Sequence, residues 1–153
     1  YGIITHAAPA ANPNAVEKHE MQPQQLSWHL LCVFLPHAVH HGGKNKAICL
    51  FQQEILDSLS IDGHPIFPGS TGENILIEGV DIGKIGIDTC LRIGEVEIIV
   101  TQDAPPCKTI KNSFINGTFN KISHRKNPNF TRWYASVNVT GTITIGDLVE
   151  LIN

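Results

Sequence analysis

No two of the four cysteines, Cys32, Cys49, Cys90 and Cys107, form a C-x-x-C pair. A structural zinc site is therefore not signalled. A chain of 153 residues does not need disulfide staples either. Cys32, Cys49 and Cys90 sit among Leu, Val, Ile and Phe and read as buried small hydrophobes. Long apolar runs are missing as well. The longest, Leu30 to Leu35, is far too short to span a bilayer. No charged, apolar and cleavage regions of a secretory signal open the chain, so a cytoplasmic location without a membrane partner is expected. Net charge is −3, which gives no global field for nucleic acid or an anionic membrane. Also absent are G-x-S-x-G, H-E-x-x-H, a strand-borne G-x-G-x-x-G and G-x-x-x-x-G-K-[ST]. Their absence removes the motif-based case for serine hydrolases, zincins, dinucleotide sites and P-loops. One further absence is local. From Ala104 to Gly146 there is no Asp or Glu, while Lys108, Lys111, Lys121, His124, Arg125, Lys126 and Arg132 lie in that stretch.

What is present starts with size. Residues 1–153 suffice for one domain with a real core, and 42% apolar residues place the chain among globular proteins. Residues 1–25, rich in Ala, Pro, Asn and Gln, read as irregular or partly strand-like. Leu30 to Leu35 reads as a strand. Ile48, Phe51, Ile55 and Leu59 recur at helical spacing, which predicts a helix over Ala47 to Leu59. Beyond it, closely spaced glycine turns separate short β-rich runs. Strands are expected over Asn74–Ile77, Thr89–Ile93, Glu95–Thr101, Trp133–Val139, Thr142–Ile145 and Leu148–Ile152, with a short helix possible in Ser113–Ser123. Many short strands with regular turns predict a mainly β fold: a closed or nearly closed barrel with a few peripheral helices.

Three stretches carry candidate chemistry. Pro105 and Pro106 fix the backbone just ahead of Cys107, and cations around a thiol favour its thiolate. A thiolate suits a soft metal or an electrophile, and the same basic segment suits an anionic ligand such as a phosphate. A buried cysteine opening a new element explains Cys107 equally well on local grounds. His41-Gly42-Gly43-Lys44-Asn45-Lys46-Ala47 lets backbone approach a ligand and adds two cations, yet it also reads as a tight turn. Pro68-Gly69-Ser70-Thr71-Gly72-Glu73-Asn74 offers hydroxyls and an amide, yet it too reads as a surface turn. The histidines His37, His40 and His41 read as turn and surface residues rather than a metal site.

Taken in order, these motifs resemble a MOSC domain, the module named from the C-terminus of molybdenum cofactor sulfurases. The resemblance runs from His41-Gly42-Gly43 through Pro68 to Asn74, Ile77-Glu78-Gly79-Val80, Ile85-Gly86 to Ile93-Gly94, and Pro106-Cys107. It ends with Trp133-Tyr134-Ala135-Ser136-Val137, Gly141 and Ile145-Gly146-Asp147. It covers about residues 37–151, and residues 1–36 match poorly. It implies a stand-alone bacterial-type member with a β-barrel and a molybdenum cofactor, a phosphate-bearing pterin dithiolene (molybdopterin). The family cysteine falls on Cys107, which the resemblance makes the molybdenum ligand and catalytic residue. Asn74, Thr71, His41, Lys46, Lys108 and Arg132 are the accompanying cofactor-binding candidates. The implied activity is an oxidoreductase that reduces small N-hydroxylated compounds with electrons from a redox protein. The alternative is a sulfur carrier that holds a Cys107 persulfide loaded by a sulfur donor. No motif for a pyridoxal Schiff base is present, so pyridoxal phosphate is not expected. Where the family often has Arg before Pro-Cys, this chain has Asp103-Ala104-Pro105.

Overall fold

The computed structural model describes residues 2–7 and 43–152. Among the described residues seven strands close a barrel: β1 (Gly2–Ala7), β2 (Ile48–Gln52), β3 (Ile75–Glu78), β4 (Cys90–Ile93), β5 (Val96–Asp103), β6 (Trp133–Val139) and β7 (Leu148–Ile152). The order around the barrel is β1-β3-β2-β6-β5-β4-β7, and β7 pairs back to β1. All neighbours are antiparallel except β2 and β3, which run parallel. A parallel pair needs a crossover, and helix α1 (Gln53–Ile61) supplies it.

The expected strands over β3 to β7 are present within a residue or two at each end. The period-2 alternation explains why: Val96, Ile98 and Val100 enter the barrel while Glu97, Ile99 and Thr101 face outward. Two expectations fail. The helix expected over Ala47 to Leu59 is a strand over its first half and a helix only from Gln53. Every residue of β2 is buried. Ile48 and Leu50 fill the barrel, while Phe51 faces out into a second core with Ile55 and Leu59. A strand covered on both faces loses its alternation and can imitate helical spacing. The strand expected over Thr142–Ile145 is a capped loop. Asp147 accepts from the Thr144 N–H at 2.7 Å and Ile143 is buried in the barrel core. The strand expected over Leu30–Leu35 lies outside the described residues.

The second core decides where the candidate site stands. From Lys108 to Phe130 the chain runs outside the barrel as short 3₁₀ turns: Lys108–Ser113, Ile115–Gly117, Phe119–Ile122 and Pro128–Phe130. These replace the short helix considered for Ser113–Ser123. Ile110, Phe114 and Ile122 from this wrap pack with Phe51, Ile55, Leu56, Leu59 and Leu76. Polar ties fix the same face. Ser113 donates to the Ser70 carbonyl at 2.8 Å, and the Ile115 N–H donates to His64 Nδ1 at 3.0 Å. No helix among the described residues is long and apolar enough to cross a membrane.

Candidate functional site

The site begins where β5 ends. Asp103 closes β5, Pro105 and Pro106 stiffen the chain, and Cys107 opens the outer wrap. Cys107 is exposed, whereas Cys49 is buried and Cys90 is half-buried. The Cys107 Sγ lies 2.7 Å from the Thr109 hydroxyl. That hydrogen bond is the largest cause holding the thiol below its ordinary pKa; partial burial opposes it, and the Thr109 backbone and the Arg132 guanidinium add to the lowering. The cation among these causes is Arg132, not the lysines of the basic run. A thiol so placed is more thiolate, and more reactive, at neutral pH than an ordinary cysteine.

Replacing Thr109 by Val should therefore move the pH midpoint of Cys107 alkylation upward, toward the ordinary thiol value. The sign follows because the lost hydrogen bond stabilises the thiolate. The check is iodoacetamide rate against pH, followed by mass spectrometry at Cys107. An unshifted midpoint would remove Thr109 from the account.

Arg132, at the residue before β6, sits behind this loop and is 3% exposed. One Nη donates to the Thr71 carbonyl. The other donates to the Ala104 and Pro105 carbonyls, each at 3.2 Å. Its Nε–H is buried without a partner. Thr71 is fully buried, and its hydroxyl turns onto the Glu73 carboxylate at 2.6 Å. Asn74 is buried too: its side-chain carbonyl accepts from the Cys49 N–H at 2.6 Å, and its own N–H donates to the Cys49 carbonyl. This two-way tie joins the Pro68–Asn74 loop to β2. Cys49 packs with Ala104 and Tyr134. Burial pushes its thiol up to about 11, which keeps it protonated and inert. Burial also raises the Tyr134 hydroxyl.

The structure thus brings Cys107, Arg132, Thr71 and Asn74 into one linked region. Lys46 reaches the same side, with its Nζ 5.4 Å over the Tyr134 ring. Lys108 is exposed beside Cys107. His41 lies outside the described residues. Sequence reasoning missed Thr109, Glu73 and Tyr134 as site residues. Thr109 was legible as a hydroxyl two positions after the thiol; Glu73 was not, because its role is to hold a loop from within.

The donor set can be tested against the implied cofactor. Among the described residues no three His, Cys, Asp or Glu side chains group as a metal site. What the site offers is one exposed, thiolate-prone sulfur with lysines nearby. That fits a metal arriving with its own ligands and an anionic group, which needs one soft protein ligand and flanking cations.

A family model of the MOSC domain matches residues 37–150. Over 119 residues the chain is 26% identical to "Uncharacterized protein YflK" of Bacillus subtilis (strain 168), which covers 75% of this chain and 52% of that protein. Two solved structures share the fold. YiiM from Geobacillus stearothermophilus superposes with a TM-score of 0.60 at 21% identity, covering 72% of this chain and 56% of its own. YiiM from Escherichia coli gives 0.56 at 20% identity, covering 73% and 57%. The chain spans about half the length of these relatives.

Proposed function

The chain belongs to the MOSC domain family, which includes molybdenum cofactor-binding proteins, and from that premise we propose that it binds this cofactor through Cys107 and reduces N-hydroxylated compounds. The observation that carries the reading is the Cys107 thiol. It is exposed at the end of a stiff Pro-Pro lead, bonded to the Thr109 hydroxyl and held below its ordinary pKa.

When bound, the cofactor supplies a redox-active metal able to accept and deliver electron pairs. The chain's own residues do the rest. Cys107 Sγ holds the metal as thiolate, and Thr109 favours that protonation state. Lys46 and Lys108 place positive charge where a pterin phosphate would be held. Asn74 and Thr71 act from behind, by fixing the backbone of β2 and of the Pro68–Asn74 loop. The substrate is a small N-hydroxylated compound, and an electron-donor protein supplies reducing equivalents.

The exposure of Cys107 also favours a second reading, in which it carries sulfur as a persulfide loaded by a sulfur donor, without turnover of its own. Metal analysis separates the two. Protein made in a host with an intact cofactor pathway should carry close to one molybdenum and one pterin per chain, by elemental analysis and fluorescence. Protein without metal or pterin, but with a reducible sulfur adduct on Cys107 by intact mass, would support the carrier and sink the oxidoreductase.

A further inference from the structure

Arg132 is 3% exposed, yet it makes no salt bridge among the described residues. Taking a cation out of water is costly, and buried charges are often replaced by apolar side chains of similar volume without loss of stability. The unpartnered Nε–H adds a further cost, because a buried donor that has left water gains nothing in return. Stability alone therefore gives no reason for an arginine at this position.

Its partners do. The three carbonyls it serves belong to two loops far apart in sequence: Thr71 in one, Ala104 and Pro105 in the other. Each loop is stiffened on its own side. Glu73 accepts from the Gly69 N–H at 2.6 Å, the Thr71 N–H at 3.2 Å and the Thr71 hydroxyl at 2.6 Å. The Ala104 N–H donates to the Arg132 carbonyl at 2.8 Å. From Pro105 the fixed φ of two prolines carries the position forward to Cys107. A buried negative and a buried positive side chain thus meet through the backbone of Thr71 rather than directly.

We propose that Arg132 is a positioning residue whose guanidinium fork clamps the Cys107 loop to the Pro68–Asn74 loop and so fixes where the sulfur stands. The inference deepens the reading of Cys107 as the working sulfur and rests on it. Lysine cannot replace the fork. It keeps the buried charge, but one ammonium on a flexible stem does not hold three carbonyls of two loops in a fixed plane.

The test is Arg132→Lys in the full chain with Cys32 and Cys90 changed to serine, so that a nitroxide label reacts at Cys107 while Cys49 stays buried. Electron paramagnetic resonance should show the label at 107 moving severalfold faster than in the parent. In a second chain in which Cys107 is also serine, a control label at Ile145→Cys, on an exposed loop, should be unchanged by Arg132→Lys. A merely structural loss would move neither label below the melting transition. An unchanged spectrum at 107 in the folded variant overturns the clamp. If Arg132→Lys does not fold, hydrogen exchange in the unmodified chain decides. The clamp requires the Gly69, Thr71 and Ala104 amides to open with one shared free energy, and separate openings overturn it. Neither readout needs the cofactor. Metal analysis of separate, unlabelled protein made in a host with an intact cofactor pathway keeps the two failures apart: a faster label with no molybdenum in the unlabelled chain would leave the clamp standing and sink the oxidoreductase, and molybdenum in the unlabelled chain with an unmoved label would do the reverse.

Discussion

Replacing Cys107 by alanine should leave the fold standing and, on the function proposed above, abolish molybdenum binding. The fold survives because the side chain is exposed and belongs to no core cluster; surface changes of this kind usually stay within about 0.5 kcal/mol. On that proposal the metal would go because no metal-binding group of His, Cys, Asp or Glu stands among the described residues to hold it in place of the thiolate. Removing even an outer partner of a metal ligand commonly costs about 10–100-fold in affinity, so loss of the one thiolate should cost more than that. Cys107→Ser is the sharper variant. It keeps the size and the Thr109 contact but offers a hard, protonated oxygen in place of a soft anionic sulfur. Both should show background molybdenum and no reduction of an N-hydroxylated substrate, with melting temperatures near the parent's. Cys107→Ala protein that keeps its metal and turnover would move the chemistry away from this residue altogether.

The same residue shows how far the sequence could be read. Its isolation after two prolines made it conspicuous, and the acid-free segment gave a reason for a thiolate. That reason was only partly the right one. A hydroxyl two positions on and one buried guanidinium lower the thiol, while Lys108 and Lys111, nearer in sequence, are exposed, where charge is screened. The direction of a side chain is not written in its neighbours. Thr71 and Asn74 were legible as polar residues in a turn ahead of a strand. Nothing local could say that the first faces Glu73 and the second faces Cys49 across 25 residues of chain. The barrel was legible where one strand face met water, as in β5. It was not legible in β2, because the wrap from Lys108 to Phe130 buries that strand's outer face and only the folded chain brings the two together.

Phe51→Ala should be the most destabilising single change outside the site, at about 3–5 kcal/mol. Phe51 is 1% exposed and is the β2 side chain that faces out of the barrel into the second core. There it meets α1 through Ile55 and Leu59 and shares a cluster with Ile110, Phe114 and Ile122 of the wrap. Its removal leaves a cavity between three layers that cannot all collapse at once, since the barrel strand is held by hydrogen bonds on both edges. A loss of this size is a large share of the stability of a domain this long. Urea unfolding should show a midpoint shifted strongly downward with an unchanged slope. Cys107 should respond as well, because the wrap that begins at Lys108 loses its anchor, so alkylation of Cys107 should become less dependent on Thr109. A cost below about 1 kcal/mol would mean the wrap is held by its polar ties at Ser113 and Ile115 rather than by apolar burial.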